Sequence, residues 1–442
     1  HAEPGDGDKL QRAHRDRQKV ARQGLGRLED QRLPGAGGLL AAQRRAGDRL
    51  QRRRDLQSQL EGNLEQRLVP AGERLAGVGR LELAEGVALA VLGHLVKTHG
   101  AAAELVVGDL TRPETLRAAV DGIDAVVFTH GSDGGGSVRI PASCCGLFGF
   151  KPTRARLPDG PYAGEGWAGM AIDGFLTRTV RDTATFLDAC AGADPGAPYW
   201  APPLGKGHLG AAGRTPRRLK IAVCDTTFTG EPIHQDCRKA VDDAARLLEG
   251  LGHHVEPARP SADVKGMMRA WTKIVACGTA LSVRKALAAR SRSLAPDDIE
   301  GVARGAISYA NSLSGADYLE AVGKIHAFGR EMAGFFQPWD ILLSATLAEP
   351  PAEVGRFNHE TEDYVNFRTG PGMVFDYSPF CAVFNASGQP AASVPLHWSE
   401  DGLPIGVHLA APFGADEELI ALCAELERAA PWFHKRPRRF FD

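Results

Sequence analysis

The sequence is short of several things at once, and each shortage excludes a class of protein. Charge of one sign is lacking: 52 Lys and Arg stand against 54 Asp and Glu, a formal net charge of −2. That balance removes any global pull toward nucleic acid or an anionic membrane. Cysteine is scarce, with 8 in 442 residues, and Cys144 and Cys145 are adjacent. Adjacent cysteines suit neither a disulfide framework nor the spaced pairs of a zinc site. A reduced, cytoplasmic setting without metal is the expectation that follows. The polar start of the chain lacks a signal-peptide pattern, and its longest apolar stretch, "GVALAVLGHLV" at 86–96, is too short to span a bilayer.

Residues 1–95 contain no Phe, Tyr, Trp, Ile, Met, Cys or Thr. With so few large apolar residues, such a segment struggles to offset its ordering entropy, and it is expected to be marginally helical or disordered. Its basic run "QRRRDLQ" reads as a solvated helix face rather than a nucleic-acid site, because no aromatic residues interleave for stacking.

Between 96 and 130 the short β-branched runs "AELVVGDL" and "IDAVVFTH" flank "TRPETLRAAVDG". That helix is marked by Thr111 as N-cap, Pro113 in the first turn, Glu114 at the capping-box position and Gly122 after the last turn. The strand, helix, strand unit resembles the middle of an NAD(P)-binding Rossmann domain of the atypical short-chain reductase type. No G-x-G-x-x-G precedes it, so it is expected to be an architectural βαβ fragment without a cofactor.

From 131 to 442 strand and helix patterns alternate, as in an α/β enzyme. "RLKIAVC", "WDILLSATL", "AASVPLHW" and "LPIGVHLAA" read as strands. "CRKAVDDAARLLEGLGHHV" reads as an amphipathic helix that buries Val241, Ala244, Leu248 and Leu251 and stops at Gly252. "ADEELIALCAELERAA" reads as the final helix.

The segment opens on "GSDGGGSVRIPASCCGLFGFKPT" at 131–153. A glycine cluster can cradle phosphate, make a tight turn, or let backbone amides converge on a reacting oxygen. Phosphate binding does not fit, since Ser137 is followed by Val138, Arg139, Ile140 and Pro141 rather than by a Lys-Ser/Thr pair. Two uses stay open on the residues alone: a flexible surface turn, or a nucleophile, Ser137, beside unhindered glycine amides.

"GSDGGGSVRIPASCCGLFGFKPTRARLP" closely resembles the signature of the amidase signature family of serine-dependent amide hydrolases. The resemblance continues through "GMAIDGFLTRTVRDTATFLDACAG" at 169–192, "WDILLSATLAEPP" at 339–351 and "SPFCAVFNASGQPAASVPLHWSEDGLPIGVHLAAPFG" at 378–414. Within the family, "GSDGGGS" and "APYWAPP" are most like amidases of the 6-aminohexanoate cyclic dimer hydrolase type. The resemblance implies an α/β fold with the family's mixed sheet flanked by helices, its usual N-terminal part missing or replaced. It implies Ser137 as nucleophile on a small-molecule carboxamide, Gly134, Gly135 and Gly136 as oxyanion-hole amides, and Asp133 and Arg139 as loop supports. Lys151 is a structural candidate, and Arg178 and Asp182 are expected to brace the following helix. No cofactor is implied.

The family also uses a Lys near an early strand and a bridging Ser in a "GGSSGG"-like segment, which together take the nucleophile's proton. Neither is evident here: the place of the bridging Ser falls in "DLTRPETLRAAV", and Lys97 lies too near Ser137 in sequence. The expectation is a chimeric chain with impaired activity, or one that binds without catalysis and exposes apolar sheet surface, which leaves partner binding or a homo-oligomer open. His130 is a remote substitute base. Ser282 and Lys285 fit S-x-x-K without its companion motifs. Asn385-Ala386-Ser387 is a sequon in an apolar stretch, and His253, His254 and His359 read as solvated.

Overall fold

A computed structural model describes residues 129–160, 163–295 and 297–435. The 1–95 segment lies outside the described residues, as does the 96–130 fragment apart from Thr129 and His130.

Eight strands form one sheet: β1 (Thr129–Asp133), β2 (Phe148–Lys151), β3 (Ile172–Thr177), β4 (Lys220–Val223), β5 (His254–Pro257), β6 (Ile341–Ala345), β7 (Ala391–Trp398) and β8 (Pro404–Ala410). Their order is β1-β3-β2-β7-β8-β6-β4-β5. The run from β1 to β6 is antiparallel throughout, whereas β6-β4 and β4-β5 are parallel. A mixed sheet of this kind needs helical cover where it is parallel, because crossovers lay helices on its faces.

The helices that matter for the site are α1 (Arg139–Cys145), α2 (Val180–Cys190), α3 (Gln235–Gly250), α4 (Val264–Ala289), α5 (Gly315–Phe335), α6 (Cys381–Ser387) and α7 (Asp416–Ala429). Of the expected amphipathic stripe of α3, Val241, Ala244 and Leu248 are buried, whereas Leu251 caps the helix end and is only half-buried, and the backbone turns away at Gly252, φ +90°. Long α4 starts where Asp263 Oδ1 accepts from the Gly266 amide, 2.9 Å, a side-chain N-cap. It buries Met267, Trp271, Ile274 and Val275.

One core runs under the sheet from Phe148 and Phe150 on β2 to Leu342, Val407 and Leu409 on β6 and β8. Strand β6 is buried at every position, as expected of a strand covered on both faces. The "GSD" of 131–133, read from sequence as the start of a loop, is instead the end of β1, where Gly131, Ser132 and Asp133 stand opposite Gly174, Asp173 and Ile172 of β3. This pairing aims Asp133 into the core and starts the glycine turn immediately after it.

Candidate active site

The turn between β1 and α1 carries Gly134, Gly135, Gly136 and Ser137. Gly136 has φ +124°, a conformation open to glycine and strained for any other residue, and a Cβ there would lie 2.6 Å from Cys381 Cβ. Gly134 is bare for a different reason: the Trp167 indole lies against it, so that an added Cβ would meet Cζ3 at 2.3 Å. Trp271 of α4 ties the turn from below, its Nε1–H donating to the Gly134 carbonyl at 2.8 Å. Ser137 itself is exposed.

Asp133 is the hub of the turn. Its carboxylate accepts from the backbone amides of Gly136 (2.8 Å), Val138 (3.2 Å) and Arg139 (3.4 Å). Arg139 meets it side-on, Nη2 to Oδ1 at 2.7 Å and Nε to Oδ2 at 3.0 Å, both side chains fully buried. Two residues from far along the chain complete the cage. Asn385 of α6 donates through Nδ2 to Asp133 Oδ1 (2.9 Å), to the Asp133 carbonyl and to the Met170 carbonyl (3.0 Å), and its Oδ1 accepts from Arg139 at 2.7 Å. His408 of β8 meets Arg139 Nη1 through Nε2 at 3.0 Å.

The electrostatics follow from that geometry. Burial alone would push the Asp133 carboxyl up, but Arg139, Lys151 and the Asn385 amide outweigh it and hold it at about 2. Burial and the Arg139 charge push His408 well below the usual imidazole range, so it is neutral. An arginine can only donate, so Nε2 is the acceptor and the proton sits on Nδ1. That Nδ1 is buried with no hydrogen-bond partner among the described residues.

Lys151, the one buried lysine among the described residues, donates to the carbonyls of Pro152 (2.9 Å) and Gln389 (2.7 Å). Burial, reinforced by Arg139, lowers its pKa well below the ordinary value. Nearby, Asp416 at the start of α7 accepts from the Thr153 amide (2.7 Å), its hydroxyl (2.5 Å) and Arg156 (3.0 Å). The "KPT" stretch is thereby locked to the last helix.

Several sequence expectations need correction. The Gly136 amide is spent on Asp133, so among the three glycines it is not a free donor for an oxyanion. Among the described residues, the amides of Gly134, Gly135 and Ser137 have no acceptor. Arg178 donates through its guanidinium to the carbonyls of Phe433 and Lys435, and the α2 N-terminus is capped by Thr179 Oγ1 accepting from Asp182 N at 3.1 Å. His253 is not solvated. It is buried, accepts from the Leu219 amide through Nδ1 (3.1 Å) and meets Glu425 through Nε2 (2.9 Å), whereas His254 and His359 are exposed.

The remaining marked residues fall apart from the turn. His130 Nε2 pairs with Asp173 Oδ2 at 3.1 Å across the β1–β3 pair. Ser282 and Lys285 are both exposed on α4. Among the described residues no cluster of His, Cys, Asp and Glu has metal-binding geometry, and no helix is long and apolar enough to cross a membrane.

Comparison with known proteins agrees with this layout. A family model described as amidase matches residues 117–420, which takes in every element around Ser137 and begins inside the 96–130 segment. The chain belongs to the amidase signature family. Over 316 residues this family member is 31% identical to a 6-aminohexanoate-cyclic-dimer hydrolase of Paenarthrobacter ureafaciens, covering 70% of this chain and 64% of that protein. A solved structure of 6-aminohexanoate cyclic dimer hydrolase complexed with substrate superposes with TM-score 0.66 at 30% identity, over 70% of this chain and 66% of that one. A bacterial aryl acylamidase of the same family superposes with TM-score 0.60 at 27% identity, over 70% and 65%. The chain thus spans somewhat less than two thirds of these relatives.

Asn385, His408 and Trp271 escape sequence reading of this amidase-family chain. Asn385 was visible only as a sequon, although its place in an apolar stretch is itself the signal of a buried polar group that must find partners.

Proposed function

We propose that this chain is a serine-dependent amide hydrolase acting on small-molecule carboxamides, linear or cyclic, with Ser137 as nucleophile. The observation that carries the reading is a contrast within a few residues. The backbone on both sides of Ser137 is fixed by Asp133, which accepts from the amides of residues 136, 138 and 139, while the Ser137 side chain is left facing solvent. A rigid loop that presents one outward hydroxyl is what a pre-positioned nucleophile requires.

In this mechanism Ser137 Oγ attacks the amide carbonyl, the new C–O bond forms, and the carbonyl oxygen takes up the negative charge. The free amides of Gly135 and Ser137, with Gly134, are the donors placed to stabilise it. Solvent water takes the proton from the Ser137 hydroxyl and returns one to the nitrogen as collapse breaks the C–N bond; the neutral amine leaves, and a second water hydrolyses the acyl-enzyme to the carboxylic acid and regenerates the Ser137 hydroxyl. Asp133 and Arg139 hold the loop and take no part in proton transfer. Lys151 is given no proton-transfer role in this reading, because its Nζ donates to two carbonyls from a fully buried position.

With no relay lysine or bridging serine legible upstream, turnover is proposed to be slow, at the ~10³ to 10⁴-fold acceleration that an oxyanion hole and binding sustain alone. The second reading, a catalytically silent binding protein, draws on the same commitment of Lys151. A fluorophosphonate probe separates the two. Covalent labelling of the full chain that vanishes in Ser137→Ala is expected; folded wild-type protein that stays unlabelled overturns the hydrolase reading.

A further inference from the structure

Three consecutive residues near the glycine turn have left-handed backbone: Trp167 at φ +51°, Ala168 at φ +53° and Gly169 at φ +77°. For Trp and Ala this costs on the order of 1–2 kcal/mol each, and such strain persists only where the surroundings enforce it. They do so here. The Ala171 amide donates to the Gly166 carbonyl at 3.1 Å, Arg154 Nε donates to the Gly169 carbonyl at 2.6 Å, and Asn385 holds the Met170 carbonyl at 3.0 Å. Arg154 is itself anchored on the carbonyls of Asn385 and Ala386, both at 2.8 Å.

What the strained turn achieves is the placement of one indole. Trp167 lies on Gly134 from one side and on Gly278 of α4 from another, where an added Cβ would meet its Nε1 at 2.5 Å. It stands edge-on to Trp271 at 5.9 Å and 81°. Two bare glycines make the space for it. Yet it is only partly buried, and its Nε1–H has no acceptor among the described residues. A tryptophan recruited for core packing is buried and finds a partner for its N–H, as Trp271 does. Trp167 instead packs against the core only in part, leaving some of its surface and its Nε1–H uncovered beside the turn that ends in Ser137.

We propose that Trp167 is a specificity-determining wall of the Ser137 site, selecting amides whose acyl group is an extended apolar chain. The inference rests on the reading of Ser137 as nucleophile. An apolar chain lying along the part of Trp167 left open to solvent loses water on both surfaces, and each methylene so covered contributes about 0.8 kcal/mol.

Alkyl fluorophosphonates of graded chain length test it, since the alkyl group occupies the acyl side when Ser137 is phosphonylated. With the full chain, octyl probe should label at least about tenfold faster than methyl probe. In Trp167→Ala that preference should fall below about threefold, with folding checked by circular dichroism. Gly278→Ala, which adds a methyl group against the indole from a good helical position, should shift the preference in the same direction. If Trp167→Ala slows both probes equally and keeps the preference, Trp167 only clamps the turn and the inference is overturned. Preference retained without any loss of rate overturns it as well. If neither probe labels folded wild-type protein, the nucleophile reading fails and takes this inference with it.

Discussion

Asn385 sits on the Asp133 carboxylate at 2.9 Å while accepting from the same Arg139 that pairs with it, so one amide side chain closes both ends of a buried ion pair. Removing a partner of such a pair costs more than the pair contributes, because the survivor is left charged and dry. Asp133→Ala is expected to destabilise the chain by about 3–5 kcal/mol. Asn385→Ala, which orphans neutral and charged acceptors without removing either ion, should cost about 1–3 kcal/mol. Urea unfolding followed by tryptophan fluorescence measures both, and equal losses would show that Asn385 is as essential as the ions.

Acid should loosen this site in a defined window. Asp133 is held at about 2 in the folded chain, below the ~3.9 of an unfolded aspartate. A carboxyl with a depressed folded pKa contributes stability that is full above its unfolded value and is lost as pH falls through the folded one. Stability should therefore drop between about pH 4 and pH 2 by on the order of 2 kcal/mol from this group. Comparing wild type with Asp133→Asn across that range isolates it, and parallel curves would deny Asp133 the role.

Glu427 should produce the opposite slope at higher pH. Burial against the start of α2, where it accepts from the Val180 amide, raises its pKa to about 7 from an ordinary 4.5, with Asp182 adding to the rise. The folded state then binds a proton that the unfolded state gives up earlier, so stability falls as pH rises from 4.5 toward 7. Glu427→Gln should flatten that part of the thermal-melting profile and raise the midpoint at pH 8; an unchanged slope would place the titration elsewhere.

Lys151→Met separates structure from proton transfer. Leaving the Pro152 and Gln389 carbonyls without donors should cost about 1–3 kcal/mol in urea. The rate of Ser137 labelling in the folded variant should stay within about threefold of wild type, whereas a loss near 10³-fold would put Lys151 in the proton relay.

The strands β4, β6, β7 and β8 and the helices α3 and α7 are legible in the sequence because each carries its own signal, a β-branched run or a stripe of period 3.6. Strands β2 and β3 are hidden: "FGFK" is too short to show a period, and "IDGFLT" is buried at five of its six positions. The Asp133–Arg139 pairing is legible because both residues lie within one family motif. Asn385 and His408 are not, since they stand 246 and 269 residues from the Arg139 they contact, and nothing local at those positions announces a partner. His253 misleads for the same reason. A tandem pair of histidines after a helix looks solvated until Leu219, just ahead of β4, supplies its amide and α7 supplies Glu425. The strained turn at Trp167 left no trace in composition at all.

The order of the sheet has a consequence for how the site comes into being. Strand β2 pairs with β7, β7 with β8, and the turn before Ser137 is caged by a residue just ahead of β7 and another on β8. During synthesis the ribosome has exposed the glycine turn long before either of those residues exists. Until they emerge, Asp133 and Arg139 have each other but no enclosure. Such far-separated contacts form late and slowly. Ser137 therefore acquires its fixed setting only after translation has passed residue 408, and a nascent chain stalled before that point carries the motif without the site.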